Sequence, residues 1–355
     1  MKAGKTPVLE RCRQLLAELH IDHDADLAVE IMQAALRLAS DRPGRADMKL
    51  VLRALKELRY GFKMFRPYHD RRKVSIFGSA RTARTDPDYQ TACDFGRQIA
   101  NAGFMVITGA GSGIMEAGHE GAGQANSFGV AIKLPFEQET NPVIAGDEKL
   151  AHFRYFFSRK LMFVKETHAV ALFPGGFGTH DEAFELLTLV QTGRANPMPL
   201  VMIERPGGDY WPCWERFVRE NLLRRNLISP EDTALWTITD NVRQAVNTIT
   251  TFYRNYHSLR FRDGQIILRI RHAPDENELN ALRHEFADLF DRGTLALMKG
   301  LESEPAPVPV PEMPRLVFEF NRRSPARLYM LIDRLNRLSR LDFTPDSHRD
   351  RRAGC

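Results

Sequence analysis

His168-Ala169-Val170-Ala171-Leu172-Phe173, followed by Pro174-Gly175-Gly176-Phe177-Gly178-Thr179, is the stretch whose reading decides the fold. The first six residues form a short apolar run of the kind that makes a buried strand. The next six form a glycine turn that opens a helix, expected over 179–192. Three glycines let backbone amides converge on one point with no side chain in the way. The start of a helix adds unpaired N–H groups and partial positive charge. Thr179 can donate its hydroxyl to an anion or cap the helix. A phosphate site at the carboxyl end of a parallel strand fits this placement. A plain strand-to-helix turn capped by Thr179 is the blander alternative.

Reading outward, strands and helices alternate. Val74–Phe77, Val106–Thr108, Gly129–Ile132, Pro199–Ile203 and Trp236–Ile238 read as further strands. Helices are expected at 87–102, 113–125, 154–166, 210–225 and 240–256, and residues 134–152 as a long loop. This alternation implies α/β architecture: a Rossmann-like, doubly wound parallel sheet with helices on both faces. Residues 1–72 read as a helical extension. Its apolar residues (Leu15, Leu16, Leu19; Leu27, Ile31, Ala34, Leu38; Met48, Leu52, Leu55, Leu58) recur at three- and four-residue spacing. The pattern restarts after Arg262-Asp263-Gly264, so 257–342 reads as a small β-α-β-α subdomain appended to the 73–256 domain. It contains a proline-rich stretch at Glu304–Pro314. The last residues, 343–355, read as a disordered basic tail.

Composition narrows the class. The chain has 355 residues and is 43% hydrophobic, enough for a sizeable core. No apolar run is long enough to span a membrane, and no secretory h-region is seen. The four cysteines form no CxxC pair, which argues against a disulfide framework or zinc site and fits a reducing cytoplasm. Cys213, between Trp211 and Trp214, reads as a packed thiol. Residues 322–352 carry nine arginines against four aspartates, which accounts for the formal net charge of +5. That end reads as a solvated helix face, and nucleic acid is not expected as a partner.

Several residues have chemistry-bearing positions. Glu182, three residues after Thr179, is either a carboxylate near the phosphate loop or a capping-box glutamate. Arg159-Lys160 is either a pair of cations for phosphate or for Glu182, or a surface pair. Met115-Glu116 follows a second glycine turn, Gly109–Gly113. That turn fails the dinucleotide fingerprint, because residue 114 is Ile and the next strand leads into Lys133-Leu134-Pro135 rather than an acid. A nicotinamide or flavin cofactor is therefore disfavoured. No GxSxG elbow and no metal-type histidine spacing occurs, and the histidines read as surface or satisfied core residues.

Phe157-Ser158-Arg159-Lys160 with Pro174–Glu182 resembles the LONELY GUY family, whose hallmark is PGGxGTxxE with an upstream Arg-Lys pair. Gly78-Ser79 and Gly109–Glu116 resemble its first two loops, and 113–117 with 134–138 its longer bacterial branch. The resemblance covers roughly residues 73–256. It implies a phosphoribohydrolase that cleaves the N-glycosidic bond of AMP-like or cytokinin riboside 5′-monophosphates, releasing base and ribose 5-phosphate. It further implies Arg159 and Glu182 as the catalytic pair, and Gly175, Gly176, Gly178 and Thr179 around the 5′-phosphate. Ser79, Met115, Glu116 and Lys160 would line the site. No metal or other cofactor is expected, and a homodimer or larger homo-oligomer is implied. Members are often labelled lysine decarboxylase, yet nothing here points to pyridoxal phosphate chemistry. A non-enzymatic nucleotide-binding or signalling protein is the competing reading.

Overall fold

The computed structural model describes residues 5–134, 139–262, 264–299 and 312–338. Pro135–Gln138, most of the proline-rich stretch and the 343–355 tail lie outside the described residues. The chain divides into two compact units, Met1–Arg59 and Tyr60–Cys355.

The first unit holds α1 (Lys5–Glu18), α2 (Ala25–Ser40) and most of α3 (Arg45–Phe65). Cys12, Leu16 and Val29 make its small core. Much of the expected apolar striping stays exposed, including Leu19, Leu27, Ile31, Met48, Leu52 and Leu55. Periodicity identifies an apolar face but not what covers it.

The second unit is built on a seven-stranded sheet. In chain order it contains β1 (Lys73–Phe77), α4 (Pro87–Asn101), β2 (Met105–Thr108), α5 (Ile114–Ala122), β3 (Ser127–Ile132) and β4 (Leu150–Phe153). Then come α6 (Phe156–Glu166), β5 (Ala169–Leu172), α7 (Phe177–Gln191), β6 (Leu200–Ile203), α8 (Tyr210–Val218), β7 (Trp236–Thr239) and α9 (Val242–Phe252). The strand order is β4-β3-β2-β1-β5-β6-β7, every pairing parallel. The chain leaves β1 toward β2 and leaves β5 toward β6, in opposite directions. Right-handed crossovers then place α4 and α5 on one face of the sheet and α7 and α8 on the other. Strands β1, β2 and β5 are buried along their whole length; β5 is apolar throughout, while β1 also buries Lys73 and Ser75 and β2 buries Thr108.

Three expectations need correction. Leu150–Phe153 is an edge strand paired with β3, not part of a loop. Its four residues, Leu-Ala-His-Phe, are too few and too mixed to show a period. The C-terminal subdomain is not β-α-β-α. It contains β8 (Tyr256–Arg262), β9 (Gln265–Ile270), α10 (Glu276–Glu285), β10 (Ala296–Met298), β11 (Arg315–Glu319) and α11 (Pro325–Leu338). Its four strands form an antiparallel sheet ordered β10-β11-β9-β8. Strand β8 escapes a sequence reading because His257, Ser258, Arg260 and Arg262 break up its apolar positions and a bulge falls between Tyr256 and Ser258. Finally, Cys213 is exposed. Helical spacing turns Trp211, Trp214 and Val218 inward and leaves Cys213 outside.

Asn336, fully buried on α11, joins the subdomain to the core. Its Oδ1 accepts from the Asn255 and Tyr256 amides at 2.8 and 2.9 Å. Its Nδ2 donates to the Phe252 carbonyl at the end of α9 and to Ile332. One side chain thus satisfies the backbone where the sheet domain hands over to β8, as buried polar groups require.

A second buried network pins the turn after β2. His119 Nε2 lies 3.0 Å from both the Thr108 hydroxyl and the Phe128 carbonyl. Asn141 Nδ2 donates to Gly111, and the Asn141 amide to Ala110. Burial depresses the His119 pKa from 6.5 to about 4, despite the raising effect of its Phe128 and Asn141 contacts. The folded state therefore binds fewer protons than the unfolded state between these values. The stability this confers is complete above pH 6.5 and is lost as the pH falls toward 4. Denaturant titrations at pH 7 and pH 4 are expected to show a loss on the order of 3 kcal/mol from this residue. In His119→Gln the pH slope should be correspondingly shallower. An unchanged slope in the variant would remove His119 as its source.

Candidate functional site

The carboxyl ends of β1 and β5 lie side by side where the winding reverses, the usual place for a ligand crevice in open α/β sheets. A cavity of about 720 Å³ opens there. Its β1 side is Phe77–Arg81, its β5 side is Gly175–Glu182, and Met115, Phe156 and Arg159 close it. Of the residues singled out from sequence, Ser79, Met115, Arg159, Gly175, Gly176, Gly178, Thr179 and Glu182 all line this cavity. Lys160 and Glu116 are not among its lining residues. Lys160 ion-pairs with Asp181, Glu182 and Glu185 on α7, at 2.8, 3.7 and 2.6 Å. Glu116 is held by Arg84.

The glycine turn is built to present amides. The Ser79 amide donates to the Pro174 carbonyl at 3.0 Å, stitching the ends of β1 and β5 together. Helix α7 begins at Phe177 with Gly176 as its N-cap residue, and no side chain caps it. A Cβ on Gly175 would lie 2.2 Å from the Thr179 hydroxyl, so the turn can close only with glycine there. A Cβ on Gly176 or Gly178 would meet nothing within 4 Å, because both face open space.

This start of α7 decides two alternatives left open by the sequence. Thr179 lies within the first turn and is not the cap. Its own amide and that of His180 donate to Gly176. Glu182 therefore stands too far into the helix to close a capping box, which needs its acid at the third helical position. Thr179 and Glu182, three residues apart, share one helix face. Both are buried, at 5% and 9% exposure.

Glu182 sits among charges of both signs. Burial raises its pKa above the ordinary glutamate range. Lys160 and Arg159 pull it down, while Glu185 and Asp181 push it up. The cation in ion-pair contact with it is Lys160, at 3.7 Å. Arg159 acts on it through its field. The Arg159 Nε donates to the Val130 carbonyl at 2.9 Å. Its guanidinium lies so close to Gly109 that a Cβ there would be 2.6 Å from Nη2. The second glycine turn thus serves close approach: Gly109 makes room for Arg159 and for the Met115 sulfur.

Sequence reading missed Arg81, Phe156, His180 and Tyr210. Arg81 and Phe156 fall beside quoted motifs and could have been found from that adjacency. Tyr210 arrives from the loop after β6 and carries no local signal.

In class the second unit is a Rossmann-like α/β protein. Residues 112–249 match the family model described as "Possible lysine decarboxylase". This bears out the resemblance to the LONELY GUY family read from the motif. A curated relative is the "Probable cytokinin riboside 5'-monophosphate phosphoribohydrolase LOG4" of Oryza sativa subsp. japonica. It is 24% identical over 172 residues, covering 46% of this chain and 73% of the relative. Among solved structures, the molybdenum cofactor binding protein of Rippkaea orientalis aligns at 18% identity with a TM-score of 0.36, over 51% of this chain and 96% of that one. The molybdenum cofactor carrier protein of Chlamydomonas reinhardtii aligns at 18% identity with a TM-score of 0.35, over 50% and 94%.

Gly178→Ala separates anion binding from folding. The added methyl meets no protein atom, and alanine is the better helix former by about 1 kcal/mol. The variant should therefore melt at the same temperature as wild type or higher. If the open end of α7 holds a phosphate, it should bind nucleoside monophosphates at least about tenfold more weakly, a cost of roughly 1.4 kcal/mol. Thermal melts and calorimetric titrations with AMP measure the two effects. Unchanged affinity would place the anion elsewhere.

Proposed function

We propose that this protein is a nucleoside 5′-monophosphate phosphoribohydrolase. The carrying observation is the uncapped start of α7 at the winding reversal, with the buried carboxylate of Glu182 on the same wall of the cavity. The Gly176–Thr179 end takes the 5′-phosphate. That anchor aims the ribose along α7 toward Glu182. Cleavage of the N-glycosidic bond builds positive charge on the ribose, and a carboxylate near C1′ stabilises that charge and orients the attacking water. Lys160, with Arg159 further off, opposes the raising effect of burial and so favours the ionised form of Glu182. AMP-like and cytokinin riboside monophosphates are the substrate class. The support is the cavity geometry together with the family match.

Exposed Phe156, Phe157, Leu161, Phe177 and Phe184 on α6 and α7 support a homodimer formed beside the cavity. The free thiols of Cys12, Cys93 and Cys213 fit a cytoplasmic setting.

Glu182→Gln keeps size and hydrogen-bonding capacity but removes the charge. It is expected to lower kcat by about 10²–10³, the usual cost of losing one preorganised group, while AMP still binds. Release of free base from a panel of nucleoside monophosphates measures turnover, and calorimetry measures binding. Near-wild-type turnover would leave only a nucleotide-binding protein.

The acid limb of kcat/KM for wild type should fall above the ordinary glutamate pKa of about 4.3. Lys160→Met should move that limb further up, because Lys160 opposes the raising effect of burial. A pH–rate profile in which the limb stays put or moves down would detach it from Glu182.

A further inference from the structure

Three carbonyls run through the glycine turn, and each is held by a donor. Pro174 O accepts from the Ser79 amide. Gly176 O accepts from the Thr179 and His180 amides. Gly175 O accepts from a side chain, the Tyr210 hydroxyl, at 2.5 Å. A turn that binds an anion must show its N–H groups and hide its oxygens, because a carbonyl aimed at a phosphate repels it. The first and last of these carbonyls are fixed by backbone and follow from the fold. The middle one depends on a single hydroxyl brought in from another element, the start of α8.

From this arrangement we infer that Tyr210 is a positioning residue for phosphate recognition, acting through the Gly175 carbonyl. This rests on the proposed function and adds to it a residue outside every motif of the turn. Tyr210 is itself held from three directions. Its amide donates to Glu204 Oε2 at 2.9 Å. Its ring packs edge-on against the buried Trp211, with centroids 4.9 Å apart. Its hydroxyl lies 2.7 Å from His180 Nε2. Since the hydroxyl proton goes to Gly175, the imidazole must be the donor, which sets its tautomer to Nε2–H. His180 lies on α7, in the wall of the cavity. The relay His180 to Tyr210 to Gly175 therefore starts and ends on the segment that receives the phosphate, with the rigid end of α8 as its anchor.

Tyr210→Phe removes the hydroxyl and leaves the ring. Freed of its donor, the Gly175 peptide can rotate its oxygen toward the anion. The expected result is a rise of about tenfold in the KM for AMP, with kcat within about threefold of wild type. Inhibition by ribose 5-phosphate should weaken by the same factor, while binding of free adenine is unchanged. A merely structural role would instead lower kcat, the melting temperature and adenine binding together. His180→Gln, which keeps a side-chain N–H donor, should stay closer to wild type than His180→Ala in affinity for ribose 5-phosphate. Calorimetry with ribose 5-phosphate reads the inference independently of turnover. If wild type binds ribose 5-phosphate and Tyr210→Phe binds it equally well, this inference fails and the proposed function stands. If wild type binds ribose 5-phosphate but releases no base from any nucleotide, the hydrolase reading fails, and weaker binding by Tyr210→Phe still supports the inference. If wild type binds no phosphate ligand, both fall.

Discussion

The hydrogen bond from the Ser79 amide to the Pro174 carbonyl is the constraint on which the site rests. It joins the two strands whose connections leave in opposite directions, just beyond the last ladder pairing of Phe77 with Leu172. The β1 and β5 sides of the cavity both hang from this seam. The β1 side continues into Ser79, whose carbonyl accepts from the Ile114 amide and so sets the start of α5. The β5 side continues into Gly175, which has no room for a side chain because Thr179 and Ser79 crowd it. Two helices, α5 and α7, are thereby aimed at one crevice, chiefly by backbone contacts. Side-chain chemistry is added to a frame already fixed.

The charges around Glu182 show how competing effects resolve. Burial alone would favour its neutral form, and Glu185 and Asp181 work in the same direction. Lys160 is drawn into this acidic group as its counterion, contacting all three carboxylates. Burial works against the lysine charge, but hydrogen bonds to Asp181 and Glu185 outweigh it and hold its pKa up. Of the two adjacent cations, Lys160 makes the ion-pair contact with Glu182. Arg159 is anchored to Val130 on β3 and acts at longer range. The Arg-Lys dipeptide is thus divided, with Arg159 lining the cavity and Lys160 held among the α7 carboxylates outside its lining, an arrangement that adjacency in sequence does not convey.

Legibility followed local information. Strands β1, β2 and β5 are legible because burial on both faces makes them mostly apolar, with β5 wholly so. The glycine turn could be read because its shape is written in residues with no side chain. Edge strands β4 and β8 were hidden, since a strand with one open side keeps polar residues and loses its pattern. Helix α7 was placed two residues late: Phe177 and Gly178 looked like turn and are its first residues. With α7 starting at Phe177, Glu182 is the sixth helical residue, too far in to close a capping box. Tyr210 was illegible because its role depends on where α8 begins in space, not on its neighbours in the chain.

Asn336 has a consequence for how the protein is made. Its amide fills three backbone groups around the end of α9 and the start of β8, yet it belongs to α11, the last element of the described chain. During synthesis the seven-stranded sheet emerges well before that side chain does. The junction must wait with its amides solvated until the ribosome has delivered α11. Delivery of α11 therefore seals the junction from the far side of the described chain. A truncated product would retain the cavity and its loops yet leave the exit of α9 open to water and to proteases.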